Sequence, residues 1–127
     1  MENQNYPNVL PIRKHIVYDL WVDKLGKNVT LINFCDRYVS SEHVLAWGQE
    51  QVLQPVAPRI CFEVADYVPE LNYDLGMPFM ALIALAPATK KAYGVKWTLA
   101  EKKVFFPTFY GVFSSEAWFA LERKPTR

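Results

Sequence analysis

Residues 29–71, VTLINFCDRYVSSEHVLAWGQEQVLQPVAPRICFEVADYVPEL, carry the most ordered run of local signals in the chain, and any fold must respect their starts and stops. Asn28 or Thr30 can cap a first helix, in which Leu31, Phe34, Cys35 and Tyr38 share one face. Ser40 and Ser41 then form a polar turn. With Ser41 as N-cap, Val44, Leu45, Trp47, Val52 and Leu53 line the inner face of a second helix, which Pro55 and Pro58 end. Gly48 inside that helix costs about 1 kcal/mol relative to Ala, so it has a packing reason or marks a break. Residues 59–64 read as a β segment, and 65–78 return to short turns and a last short helix bounded by Pro69 and Pro78.

On either side the signals are less uniform. Residues 1–8 form a polar leader, with no basic stretch running into an apolar one as a secretory signal requires. Ile12, Ile16 and Leu20, with Val17, Trp21 and Leu25, recur every four residues and predict a helix ended by Gly26; the β-branched and aromatic content of 15–22 offers a strand as the rival. Residues 77–86 are apolar on every side, a buried strand or a buried helix that periodicity does not separate. From Tyr93 onward the chain is rich in aromatics and alternates through Val95, Trp97 and Leu99, and again through Trp118 and Ala120. This predicts two or three antiparallel strands with turns at 100–103 and 113–116; Ser114 or Ser115 can also cap a short helix.

The expected architecture is a single α+β domain over 1–127: a mainly helical part at 9–71, including the helical hairpin, packed against an antiparallel sheet at 77–127. Its length suits one core rather than two. Phe79, Met80, Leu82, Ile83, Trp97, Phe105, Phe109, Phe113 and Trp118 are the expected core of the sheet. The longest apolar run falls short of the roughly 20 residues that span a bilayer, so the expectation is a cytoplasmic protein with no membrane partner. Cys35 and Cys61 are too few and too far apart for a disulfide framework. Together with His15 and His43 they lack metal-ligand spacing, and no phosphate loop, His-Glu-x-x-His or Gly-x-Ser-x-Gly stretch occurs. The chain is therefore expected to be non-enzymatic, without metal or cofactor.

Net charge is +1, but it is unevenly spread. Between Ser40 and Leu71 five acids face one base, Arg59, whereas from Lys90 to Arg127 eight bases face three acids. Such a division fits intramolecular pairing, head-to-tail association or a phosphate-facing end.

The 29–71 segment resembles the excisionase and MerR-type winged helix-turn-helix proteins. Thr30 and Leu31 match the start of the first helix, Cys35-Asp36-Arg37-Tyr38 its end, Val39 and Ser40 the turn, and Val44 and Trp47 the recognition-helix core. Arg59 to Phe62 would be the wing and Ala65 to Val68 the terminal helix. The resemblance implies a small regulator, of the kind mobile elements encode, that binds double-stranded DNA. Ser41, His43 and Gln49 would then lie at the groove, with Arg59, Lys102 and Lys103 supplying charge. The alternative is a protein-binding inhibitor or adaptor, often a homodimer, that meets a host protein through exposed aromatics: Tyr73, Phe106 and Tyr110.

Overall fold

A computed structural model describes residues 15–34, 38–67, 81–97, 102–114 and 117–125. Sheet, not helix, is its frame. Strands β1 (Ile16–Val22) and β2 (Lys27–Asn33) form a hairpin where the spacing predicts helices. Short β3 (Val39–Ser40) leads into helix α1 (Ser41–Glu50), β4 (Leu53–Pro55) and helix α2 (Pro58–Val64) with a 3-10 turn at Ala65–Tyr67. Then come β5 (Ala81–Ala86), β6 (Lys91–Trp97), β7 (Lys102–Phe105), β8 (Val112–Phe113) and β9 (Ala117–Arg123).

Seven strands make one sheet in the order β1-β2-β9-β5-β6-β7, with β4 also on β9; β3 and β8 pair separately. The last strand in the chain is thus the central one. One edge of β9 is bonded antiparallel to β2; the other is bonded to β5 in parallel and, further along, to β4 antiparallel.

Alternation along these strands divides the core into two layers. On one face, Val29, Leu31, Trp118, Ala120, Leu82 and Val95 pack under α2 through Ile60, Cys61 and Val64. On the other, Ile32, Phe119, Leu121, Ile83 and Leu85 pack under α1 and the 106–113 segment through Val44, Phe109 and Phe113. Of the expected core, Leu82, Ile83, Phe109, Phe113 and Trp118 are buried, Phe105 is half-buried, and Phe79 and Met80 lie outside the described residues.

The predicted helical hairpin is therefore corrected. Residues 27–33 are strand, and α1 is the one helix of that pair. Ser40, not Ser41, caps it: its hydroxyl accepts from the His43 N–H at 3.1 Å. Ser41 is turned inward at 1% exposure, donating to the Phe109 carbonyl at 2.7 Å. Residues 59–64, expected as β, are helical: Pro58 sits in the first turn, where its missing N–H costs nothing, and Ile60, Cys61 and Val64 share the buried stripe. The ambiguous apolar run resolves as strand over Ala81–Ala86, buried on both faces and so without alternation. Lys102 and Lys103, expected in a turn, begin β7.

Gly48 has the packing reason its position requires. A Cβ there would stand 3.3 Å from the Leu53 carbonyl oxygen and 3.6 Å from Leu121 Cδ1, so glycine lets α1 sit down on β4 and β9. Gly94 is tighter still. Phe105, its partner across the β6–β7 pair, lies over it, and an added Cβ would fall 2.4 Å from the ring. Gly94→Ala is expected to cost about 1–3 kcal/mol as an overpacked site. Adding Phe105→Ala should return part of that, a recovery readable in urea midpoints.

Val52, just past α1, is held at φ +60, a region that costs an L-residue about 1–2 kcal/mol and a β-branched one no less. Its carbonyl receives the Lys124 N–H at 3.1 Å, which ties the turn to the end of β9. Val52→Gly is expected to raise stability by about 0.5–1 kcal/mol, the relief of strain outweighing the extra freedom of the unfolded chain. A lower urea midpoint would contradict this.

Candidate functional site

The residues expected to meet DNA are not brought together. Ser41 is buried. His43 is half-buried against Phe34, their rings 6.2 Å apart. The exposed face of α1 is Glu42, Ala46, Gln49 and Glu50, which places acid where phosphate would approach. Arg59 is exposed on α2, across the sheet from α1. Lys102 forms an ion pair with Asp66, and Lys103 is exposed on β7. Tyr73 lies outside the described residues.

Phe106 and Tyr110, by contrast, share a site. Pairing of β6 with β7 sets Gly94 against Phe105, and so delivers Phe106 beside Tyr93, ring centroids 6.0 Å apart and edge-to-face. The chain then turns back through 107–111. Phe109 anchors this turn: its ring is buried in the α1-side core, and its carbonyl is the acceptor for Ser41. With Phe109 held inside, Phe106 and Tyr110 are forced outward, at 72% and 74% exposure the most exposed large hydrophobic side chains of the described chain. Between them and the β5–β6 hairpin lies an open cleft of about 410 Å³, walled by Lys90, Lys91, Tyr93, Phe106, Phe109 and Tyr110.

The cleft is basic. Residues 81–97 and 102–114 hold five lysines (Lys90, Lys91, Lys96, Lys102 and Lys103) and no acid. Lys90 Nζ stands 5.8 Å from the Phe109 ring centroid and Lys96 Nζ 5.0 Å from that of Phe105, cation–π distances that hold two ammonium groups beside aromatic faces.

Lys90 occupies its place at a cost. The hairpin loops 23–26 and 87–90 each connect paired strands through four residues, and each ends in the left-handed region: Gly26 at φ +63 in one, Lys90 at φ +57 in the other. Glycine takes that conformation freely and lysine does not. The loop at the cleft thus keeps a strained lysine where its counterpart has a glycine.

The Cys61 thiol is structural. Cys61 is fully buried, its thiol 3.7 Å from the Leu82 carbonyl, and burial pushes it up from 9.0 to about 12. Such a thiol holds almost no thiolate at neutral pH and is no nucleophile. Because the native state keeps this proton to higher pH than the unfolded chain does, its contribution to stability is full below pH 9 and is lost as pH rises through about 12. Urea midpoints of the wild type and Cys61→Ala should therefore converge over that window; a constant gap would contradict it. Among the described residues no three His, Cys, Asp or Glu side chains group to hold a metal ion, and no helix is long and apolar enough to cross a membrane.

The lysines and both exposed aromatics were legible as residue types; their meeting was not, since it depends on the β6–β7 register and on Phe109 pinning the turn. No protein-family model, curated protein or solved structure matches the chain.

Proposed function

We propose that this protein is a non-enzymatic binder of single-stranded nucleic acid, held in the Lys90–Tyr110 cleft. Bases stack on Phe106 and Tyr110, and the phosphates that connect them meet Lys90 and Lys91. The observation that carries this reading is the exposure of two aromatic rings in one cleft with two adjacent lysines and no acid among the residues that line it. Ring faces turned to water have no structural purpose of their own, whereas aromatic platforms beside a basic track are how single strands are held without regard to sequence. Duplex DNA fits less well. Its major groove takes a helix or a β-ribbon, and the exposed face of α1 carries Glu42 and Glu50 without a base.

Fluorescence anisotropy with a labelled oligothymidylate of about 15 nucleotides tests the reading at low and moderate salt. Four neutralised phosphates would give a slope of log K against log salt near about −3. A duplex of the same length should compete poorly. Absence of oligonucleotide binding at low salt, with saturable binding of polyglutamate instead, would replace nucleic acid by an acidic protein partner docking in the same cleft.

A further inference from the structure

A second cleft, about 320 Å³, lies between helix α1 and the β1–β2 hairpin. Its floor is Thr30 and Leu53. Val17 and Asp19 form the wall at the β1 edge, Trp47 and Gln51 the wall from α1, and Arg123 closes one end. Nothing in the proposed nucleic-acid site uses these residues, and the chemistry differs: this cleft holds both charges.

Asp19 is oriented before any ligand arrives. Thr30, its partner across the β1–β2 pair, donates its hydroxyl to Asp19 Oδ1 at 2.8 Å, which leaves the second carboxylate oxygen for a ligand. Arg123 is exposed and makes no ion pair among the described residues. Strand register places it two strands and two residues from Asp19, about 12 Å between Cα atoms by ordinary strand spacing and rise. The two charges face one cleft without closing on each other. On the same face, toward the start of β1, stands an apolar and aromatic surface: half-buried Trp47, with the His15 ring edge-on to it at 5.8 Å, and the aliphatic Val17, while Leu53 pairs with Arg123 from β4. The turn that sets Gln51 and Leu53 in the wall is the one holding Val52 at φ +60, strain of a kind that collects beside binding sites.

We infer that this cleft binds a free amino acid with an apolar side chain. Its ammonium meets Asp19, its carboxylate meets Arg123, and its side chain lies against Trp47 and Val17. A ligand with only one charge would leave the other wall unmatched. The volume is at the low end for small-molecule sites, which suits a ligand of this size and excludes larger cofactors.

Isothermal titration with L-phenylalanine and with L-leucine tests the assignment. Saturable one-to-one binding is expected, with Kd of about 1 mM or tighter. N-acetyl-L-phenylalanine lacks the ammonium and L-phenylalaninamide lacks the carboxylate; each should bind at least about tenfold more weakly, the loss of one charge-assisted contact. Asp19→Asn keeps an acceptor for Thr30, and Arg123→Gln changes an exposed residue, so both variants should keep the wild-type circular dichroism while losing affinity by a similar factor. Lys90→Ala should leave it unchanged. No saturable binding of either amino acid, equal binding of the blocked analogues, or sensitivity to Lys90 rather than to Asp19 and Arg123 would overturn the proposal. None of these outcomes bears on oligonucleotide binding.

Discussion

Trp118→Ala is expected to lower the stability of the protein by about 3–5 kcal/mol, the usual cost of emptying a buried large aromatic site. Trp118 has no exposed surface and lies in β9, the strand that joins the hairpin from the N-terminal half to the strands that follow α2. Its neighbours across the sheet are Asn33 on β2 and Leu82 on β5, so its side chain bridges the two halves beneath α2. Set against a typical total of about 5–15 kcal/mol, such a loss leaves a marginal fold. Urea unfolding followed by far-ultraviolet circular dichroism should show a much lower midpoint with little change in slope. Trp21, 57% exposed on the edge strand, is the control, and its replacement by Ala should fall within about 0.5 kcal/mol of wild type. Equal effects at the two tryptophans would refute the central placement of β9.

Phe106→Ala and Tyr110→Ala are each expected to weaken oligonucleotide binding by about 1–3 kcal/mol, roughly 5- to 150-fold, with little effect on stability. The separation follows from exposure. Both rings stand in solvent, so their removal opens no cavity, while Phe109 still anchors the turn. Lys91→Ala should reduce the salt slope by about 0.7, the share of one phosphate on a single strand. Lys90→Gly sharpens the test: it relieves the left-handed strain, so stability should hold or rise while affinity falls. Anisotropy titrations beside urea midpoints measure both quantities in the same variants. Unchanged affinity in the Phe106→Ala, Tyr110→Ala double variant would remove the cleft from the binding surface.

The correction of 16–22 and 27–33 from helix to strand has a specific cause. Ile16, Leu20 and Val17, Trp21 recur every four residues, and four fits both a helical turn and two pleats of a strand. The discriminating signal was Ile16, Tyr18, Leu20 and Val22, which alternate and in the structure face the α2-side core. In β2 even that signal is missing: from Val29 to Asn33 every residue is buried, because β1 and β9 flank the strand and both faces are covered. The error at 59–64 runs the other way. Ile60, Cys61, Phe62 and Val64 favour strands by type, yet a stripe at positions 60, 61 and 64 has a sheet to lie on, and Pro58 opens the first turn. Tertiary burial overrides weak local preference in both cases.

Some features were set by the chain locally. A serine cap opens the helix at 41–50, prolines break the chain near 55–58, and β-forming residues fill the C-terminal third; each needs only near neighbours. Composition likewise segregated the lysines and aromatics of 90–110 from the acids before them. Only the tertiary structure decided that β9 is central, that α1 and α2 lie on opposite faces, that Lys90 lines one cleft with Phe106 and Tyr110, and that Asp19 and Arg123 both face a second. Those arrangements rest on strand pairings between distant residues, such as Ile32 with Phe119. The free energy of such pairings comes from burying both faces of a sheet that no local segment can form alone.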